Sequence, residues 1–291
     1  MKILTYILIS VSAAAMIMMG CSMTRGQSVT DSNIKKATVK KTVKIGNFSK
    51  IDASTGIRIV YTQGKSTGVA QIATTPSAEP YLKVYVKDGE LNAHYANRDN
   101  KNINGPTIIT VSSPDLQEVD LSSAARLQVN GDLNISGKLS LDMSSASRAT
   151  FNGISAKSLE VDLSSSATVE IGSANLGKLD AEMSSASKLS VDKAIATNIY
   201  LETSSAAKIN IGYFNGTGLE ADASSASNIS VAGITTKKIY AEASSGGRVS
   251  LKGRCEYLNK DSSSGGKVDI SQLEVPNLPK KTSKKRHPRN P

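Results

Sequence analysis

Nine times in this 291-residue chain, a carboxylate stands two positions ahead of a hydroxyl pair, and a mostly basic position follows four residues past the first hydroxyl. The carboxylates are Asp52, Asp120, Asp142, Asp162, Glu182, Glu202, Asp222, Glu242 and Asp261. The downstream positions hold Arg58, Arg126, Arg148, Thr168, Lys188, Lys208, Asn228, Arg248 and Lys267. A serine beside an acid invites nucleophilic chemistry, but that chemistry needs an activating base. The only histidines are His94 and His287, and neither lies in a repeat. No catalytic residue is therefore assigned. An active site breaks a repeat, whereas these units keep theirs. The carboxylates Asp142, Asp162, Glu182, Glu202, Asp222 and Glu242, with the bases Arg148, Lys188, Lys208 and Arg248, instead form a candidate binding strip. Its chemistry suits an anionic or hydroxylated glycan, another envelope polyanion, or calcium, and a solvated charged face is the plainer account of the same residues. No cofactor is implied, and no CxxC spacing suggests a metal.

The elements that carry these residues follow from periodicity. The first serines fall at 122, 144, 164, 184, 204, 224, 244 and 263, close to one every twenty residues. Apolar residues occupy odd offsets from each of them. Five before stand Leu139, Leu159, Leu179, Ile199, Leu219 and Ile239; five after stand Leu127, Ala149, Val169, Leu189, Ile209 and Ile229. Alternation of this kind is strand periodicity. Unbroken strand of thirteen residues would run about 43 Å, so the chain must bend near the serines and again near the glycines at 131, 153, 172, 212, 233 and 253. A short third side with Ile135, Ile154 and Leu176 closes a three-sided coil. The expected fold is all-β: a right-handed parallel β-helix, or solenoid, of about 20-residue rungs, roughly nine in number. By parity the second serine of each pair, and the small residue two further on, should point inward. Buried serine hydroxyls would then form a ladder, bonded to each other or to backbone. The acidic and basic columns should point outward, with the bases compensating the stacked acids.

Ahead of the repeats, alternating runs between Thr42 and Val111 read as strands. They include a hairpin at the Asp88-Gly89 turn. The isolated Asp52 unit should start the same stack before an excursion that rejoins it at Leu116. Residues 1–20 have Lys2 and then an apolar run that ends Met18-Met19-Gly20-Cys21, which resembles a lipobox. They read as a lipoprotein signal peptide with Cys21 lipidated, and residues 21–40 read as a flexible tether. The β-helix domain should span 41–275. The net charge of +10 is concentrated in the tail, residues 276–291, where Lys280, Lys281, Lys284, Lys285, Arg286 and Arg289 lie; the body is near balance. The tail reads as disordered. Nucleic acid is not expected as a partner of an exported chain.

Three stretches carry a family resemblance: FSKIDASTGIRIVYTQG at Phe48–Gly64, LKVYVKDGELNAHY at Leu82–Tyr95 and VSSPDLQEVDLSSAARLQV at Val111–Val129. Together with the lipobox they resemble the DUF2807 family, described as "putative auto-transporter adhesin, head GIN domain". The resemblance runs over roughly Val43 to Ile270. It implies a β-helical fold and an outer-membrane lipoprotein, periplasmic or surface-facing, and it carries no catalytic residues. Near-uniform Ser-Ser-Ala corners distinguish this chain from more varied, glycine-rich relatives. The expected function is a non-enzymatic, adhesin-like binding module. A carbohydrate-active β-helix enzyme and a purely structural spacer are the alternatives. Unpaired strand edges at an end of the stack leave self-association open.

Overall fold

The computed structural model describes residues 37–96 and 103–276. The signal-type segment, Cys21, most of the tether and nearly all of the basic tail lie outside the described residues. Strands begin with β1 (Val39–Lys44), β2 (Lys50–Ala53), β3 (Arg58–Gln63), β4 (Val69–Thr74), β5 (Leu82–Lys87) and β6 (Glu90–Tyr95). They continue with β7 (Ile108–Ser113), β8 (Glu118–Leu121), β9 (Arg126–Asn130), β10 (Asp132–Asn134), β11 (Lys138–Met143) and β12 (Arg148–Leu163). The remainder are β13 (Thr168–Met183), β14 (Lys188–Thr203), β15 (Lys208–Ile211), β16 (Phe214–Ala223), β17 (Asn228–Ala243), β18 (Arg248–Ser262) and β19 (Lys267–Glu274). All belong to one continuous sheet wound into a parallel β-solenoid of about eight turns and about 20 residues per rung.

The register makes the repeat physical. Leu139 lies over Leu159, then Leu179, Ile199, Leu219 and Ile239, each essentially without exposure. Burying each such side chain contributes about 1.5–3 kcal/mol. Within a long strand such as β12, burial alternates, slips phase at Gly153-Ile154 and then resumes. The ladder with β13 skips Asn152 and Lys157 at those slips, so one strand turns two corners. Stacking is close at these corners. A Cβ on Gly172 would sit 2.6 Å from the carbonyl oxygen of Asn152, and one on Gly212 would sit 2.7 Å from that of Asp192. The third side is buried as expected, with Ile135, Ile154 and Leu176 facing in.

The serine corner corrects one expectation. The second serine is not buried: Ser145, Ser185 and Ser225 sit exposed at the tip of the turn, with φ of 54°, 52° and 51°. Ala146, Ala186 and Ala226 follow with φ of 61°, 62° and 61°. Two consecutive left-handed residues swing the chain through the corner, so strand parity does not carry across it. The first serine's carbonyl accepts from the N–H three residues on, as from Ser147 to Ser144 at 3.1 Å. Backbone bonds also tie the tips together between rungs: Ala146 N–H donates to Ser165 C=O at 2.9 Å and Ala186 N–H to Ser205 C=O at 3.0 Å. At the tips the inter-rung ladder is therefore made by backbone and not by the hydroxyls of the second serines. The small residue at the end of the turn does face in, with Ala125, Ser147, Ala167, Ser187, Ala207 and Ser227 all buried.

At the N-terminal end the chain leaves the stack and returns. β2 and β3 pair in parallel with β8 and β9 on one side, and with β6 and β7 on the other. The excursion therefore builds the rung on the far side of β2–β3, and the chain then rejoins at Leu116. β4 and β5 run antiparallel beyond it, and β1 pairs antiparallel with β4, which caps that end. The β5–β6 hairpin turns on Asp88 and Gly89, both with positive φ, as its Asp-Gly pair requires.

The buried turn position separates satisfied from unsatisfied hydroxyls. Ser227 Oγ donates to Thr203 C=O at 2.9 Å and lies 2.8 Å from Thr203 Oγ1, whereas Ser147 Oγ is buried without a partner. Ser227→Ala should lower stability by about 1–2 kcal/mol, and Ser147→Ala should raise it by about 1 kcal/mol. Urea unfolding midpoints of the two variants check both signs.

Candidate functional site

Carboxylates two residues ahead of the serine turn point outward and stack in register. Asp120 pairs with Asp52 on one side and Asp142 on the other, and the column continues through Asp162, Glu182, Glu202, Asp222 and Glu242 to Asp261. Like charges at the strand spacing of about 4.8 Å repel by about 0.9 kcal/mol per neighbour even in water. The effect shows in the titration. Burial, then Glu118, Asp142 and Asp52, push the Asp120 carboxyl up to about 6. Burial and Asp162 likewise raise Asp142.

The basic column lies on the other flank of the turn. Arg58, Arg126 and Arg148 stack in register, followed through Thr168 by Lys188 and Lys208, and through Asn228 by Arg248 and Lys267. Burial and the neighbouring Arg126 lower the Arg58 pKa. The expected compensation between the columns does not occur: among the described residues no ion pair joins one to the other. The corner sends the two columns onto different sides of the coil. Lysines on the acidic side pair instead with a neighbouring column, Lys50 with Glu118 at 2.5 Å, Lys138 with Glu160 at 2.6 Å and Lys178 with Asp180 at 2.6 Å. In the basic column Arg148 reaches Glu170 at 3.5 Å. The strip inferred from sequence is thus two strips, and the exposed edge of serine tips separates them.

Sequence reasoning missed the aromatic component. Tyr200 and Tyr240 stand in the column next to the carboxylates and are 37% and 43% exposed; Tyr257 packs on Tyr240 with ring centroids 6.0 Å apart. Their spacing, two rungs apart at an even offset from the serine, was the available signal. Surface clefts lie at two places of interest. One, beside the two-residue-longer loop at Ser136-Gly137, is lined by Lys50, Asp115, Gln117, Glu118 and Lys138. Another on the third side is lined by Asp132, Asn134, Ser155, Asn175, Lys193 and Ile195. Among the described residues no three His, Cys, Asp or Glu side chains converge to hold a metal ion, and no helix is long and apolar enough to cross a membrane. Cys255 is a buried free thiol, raised by burial.

The family model described as "putative auto-transporter adhesin, head GIN domain" matches residues 47–213 and again 200–281, so it covers nearly the whole solenoid. The chain belongs to the DUF2807 family. Among solved structures it is similar to a protein described as a "putative lipid binding protein" from Parabacteroides distasonis ATCC 8503, with TM-score 0.63 and 14% identity over 79% of this chain and 95% of that one. A "putative adhesin" from Parabacteroides merdae ATCC 43184 aligns with TM-score 0.61 and 16% identity over the same shares. Another, from Bacteroides fragilis NCTC 9343, gives 0.55 and 19%, again over 79% and 95%. At such identities the likeness shows the shared fold. Comparison with curated proteins gives no match. DUF2807 is described in terms of adhesion and not of catalysis.

The raised Asp120 pKa fixes a pH dependence. The folded state holds this proton to higher pH than the unfolded chain, whose aspartates titrate near 3.9. Native stability therefore falls as pH rises from about 4 to about 6, and the penalty is absent below about 4. A shift of about two units would be worth about 2.7 kcal/mol at full burial; partial exposure and screening reduce it to about 1 kcal/mol. Asp120→Asn should thus stabilise the protein by about 1 kcal/mol at pH 7.5 and by nothing at pH 3.5, which thermal unfolding at the two pH values measures.

Proposed function

We propose that this DUF2807 protein is a non-enzymatic, adhesin-type binding module of the cell envelope, tethered by lipid at Cys21 and engaging its partner through the charged flanks of the solenoid. One observation carries the reading. Two charged columns run the length of the coil in strict register, open to solvent and unpaired with each other. A repeated array of this kind suits an extended partner, because acids recur at every rung of one flank and bases at most rungs of the other, with Thr168 and Asn228 as the gaps. The family description and the solved adhesin-like folds support it. An acyl-chain site is not favoured: inward columns of Leu, Ile, Val, Met and Phe fill the coil, and the surface clefts have mixed polar linings.

A carbohydrate-active enzyme is favoured by a single feature. Asp120, raised to about 6, stands two residues along β8 from Glu118, which lines the cleft at the longer rung. Perturbed acids beside clefts mark active sites in general. Here the shift has a structural cause in the stacked column itself, and the same column recurs at rungs with no cleft beside them.

Both readings meet one experiment. Full-length protein in detergent is applied to a glycan array and to lipopolysaccharide, beside a variant carrying Asp162→Asn, Glu182→Gln and Glu202→Gln and another carrying Lys188→Gln, Lys208→Gln and Arg248→Gln. Binding that falls about tenfold in one of the variants, with the glycan recovered uncut, is the expected result. Glycan cleavage that disappears in Asp120→Asn would establish the enzyme instead. Cys21→Ser should move the protein from the membrane fraction to the soluble one.

A further inference from the structure

We infer that the partner of the charged flanks is a second copy of this chain, docked side by side with its basic flank on the acidic flank of the first. The inference rests on the binding-module reading above and adds the identity of the partner. It follows from three geometric facts. Both columns have the same pitch, because both are set by the same rungs; acids Asp162, Glu182 and Glu202 rise in step with bases such as Lys188 and Lys208. Two straight ladders of equal pitch and opposite sign match along their whole length when the solenoid axes are parallel. Neither ladder is matched by the other within its own chain; among the described residues Arg148 alone of the basic ladder pairs elsewhere, with Glu170.

The second fact is lateral position. The acids stand two residues before the serine turn and the bases one residue after it, so both run beside the same edge. Superposing the edges of two copies therefore brings acid column over base column. It also brings the tyrosine column, four residues before the turn, over the column three residues after it. Besides Tyr200 and Tyr240 the first of these columns holds Glu160, Asp180 and Glu220; the second holds Glu170 and then Ser190, Asn210, Ser230 and Ser250, which are short enough to leave room for the two tyrosines. Exposed tyrosines opposite a row of small hydroxyl and amide side chains give the contact apolar anchors inside a charged frame.

The third fact is area. About eight rungs at about 4.8 Å and about six residues at about 3.3 Å make a flank near 40 Å by 20 Å, about 800 Å² per partner. That is the size of a standard specific interface. Because acidic flank meets basic flank, the contact is heterologous: each copy keeps one flank free, and assembly continues past the dimer.

Light scattering and sedimentation of the full-length chain in detergent test this between about 10 mM and about 1 M salt, where the Debye length falls from about 30 Å to about 3 Å. Species larger than a dimer at low salt that dissociate to monomer at high salt are expected. Asp162→Lys with Glu182→Lys and Glu202→Lys should weaken association by about tenfold or more, as should Lys188→Glu with Lys208→Glu and Arg248→Glu. Mixing these two reversed proteins should restore it, which shows that both are folded. A monomer at low salt, or failure of the mixture to associate, overturns the inference. So does association that survives both reversals, which would place the contact at the solenoid ends. Glycan or lipopolysaccharide binding in the array, with a monomer here, would leave the binding-module reading standing and remove only the second copy as partner.

Discussion

A chain that returns over itself every twenty residues places each side chain about 4.8 Å above its own equivalent, and everything else in this molecule is a response to that constraint. For aliphatic residues the constraint is favourable, since identical shapes nest and the interior closes without water. At the corners it admits only residues that let one backbone lie against the next. For charges it is unfavourable, because like must stand on like. The acidic column accepts this cost in solvent, where it is small, and shows it where solvent is partly excluded, at Asp120.

Legibility in the sequence followed the same division. The inward columns were readable because burial imposes one chemical rule on every rung, and Leu139 through Ile239 obey it. The hairpin was readable because Asp88-Gly89 can take two positive φ angles where most pairs resist. The serine tips were misread because parity counts residues along a strand, and two left-handed residues reset the count without any compositional mark. Ser and Ala are not residues that announce positive φ; sixteen such non-glycine positions occur among the described residues, most of them at this corner. Column-to-column compensation was misjudged for a related reason. Sequence distance put acid and base six residues apart, yet a corner between them turned their side chains onto different sides.

Order within the stack was legible in part: the Asp52 unit does stack on the Asp120 unit, and the chain does rejoin at Leu116. Chain order leaves open on which side of the first rung residues 62–115 lie. In the structure they extend the coil beyond it, so β2–β3 are clasped between a rung made later and another made later still. Nothing local distinguishes an outward excursion from an inward one; only the pairing of Asp52 with Asn92 on one side and Asp120 on the other decides it.

Interior identities drift along the axis while the filling of the coil is kept. Ahead of the turn, the column reads Leu121, Met143, Leu163 and Met183, then shrinks to Thr203, Ala223 and Ala243. Where it shrinks, the third side supplies Phe214, fully buried, with its ring so close that a Cβ on Gly216 would lie 2.7 Å from it. The buried turn position ends in Gly247 and Gly266, where a side chain would strike the carbonyls of Ala223 and Ala243. Volume is thus traded between sides of the same coil, as a close-packed interior demands. The outer columns are under no such exchange. Along most of the axis their charged ends face solvent and, between the two flanks, make no ion pair, so the acids could be mixed with bases rung by rung at little cost to packing and with a gain in electrostatic energy. That they are instead sorted onto separate flanks is a feature the fold does not require, and it is therefore the part of the molecule where function is best sought.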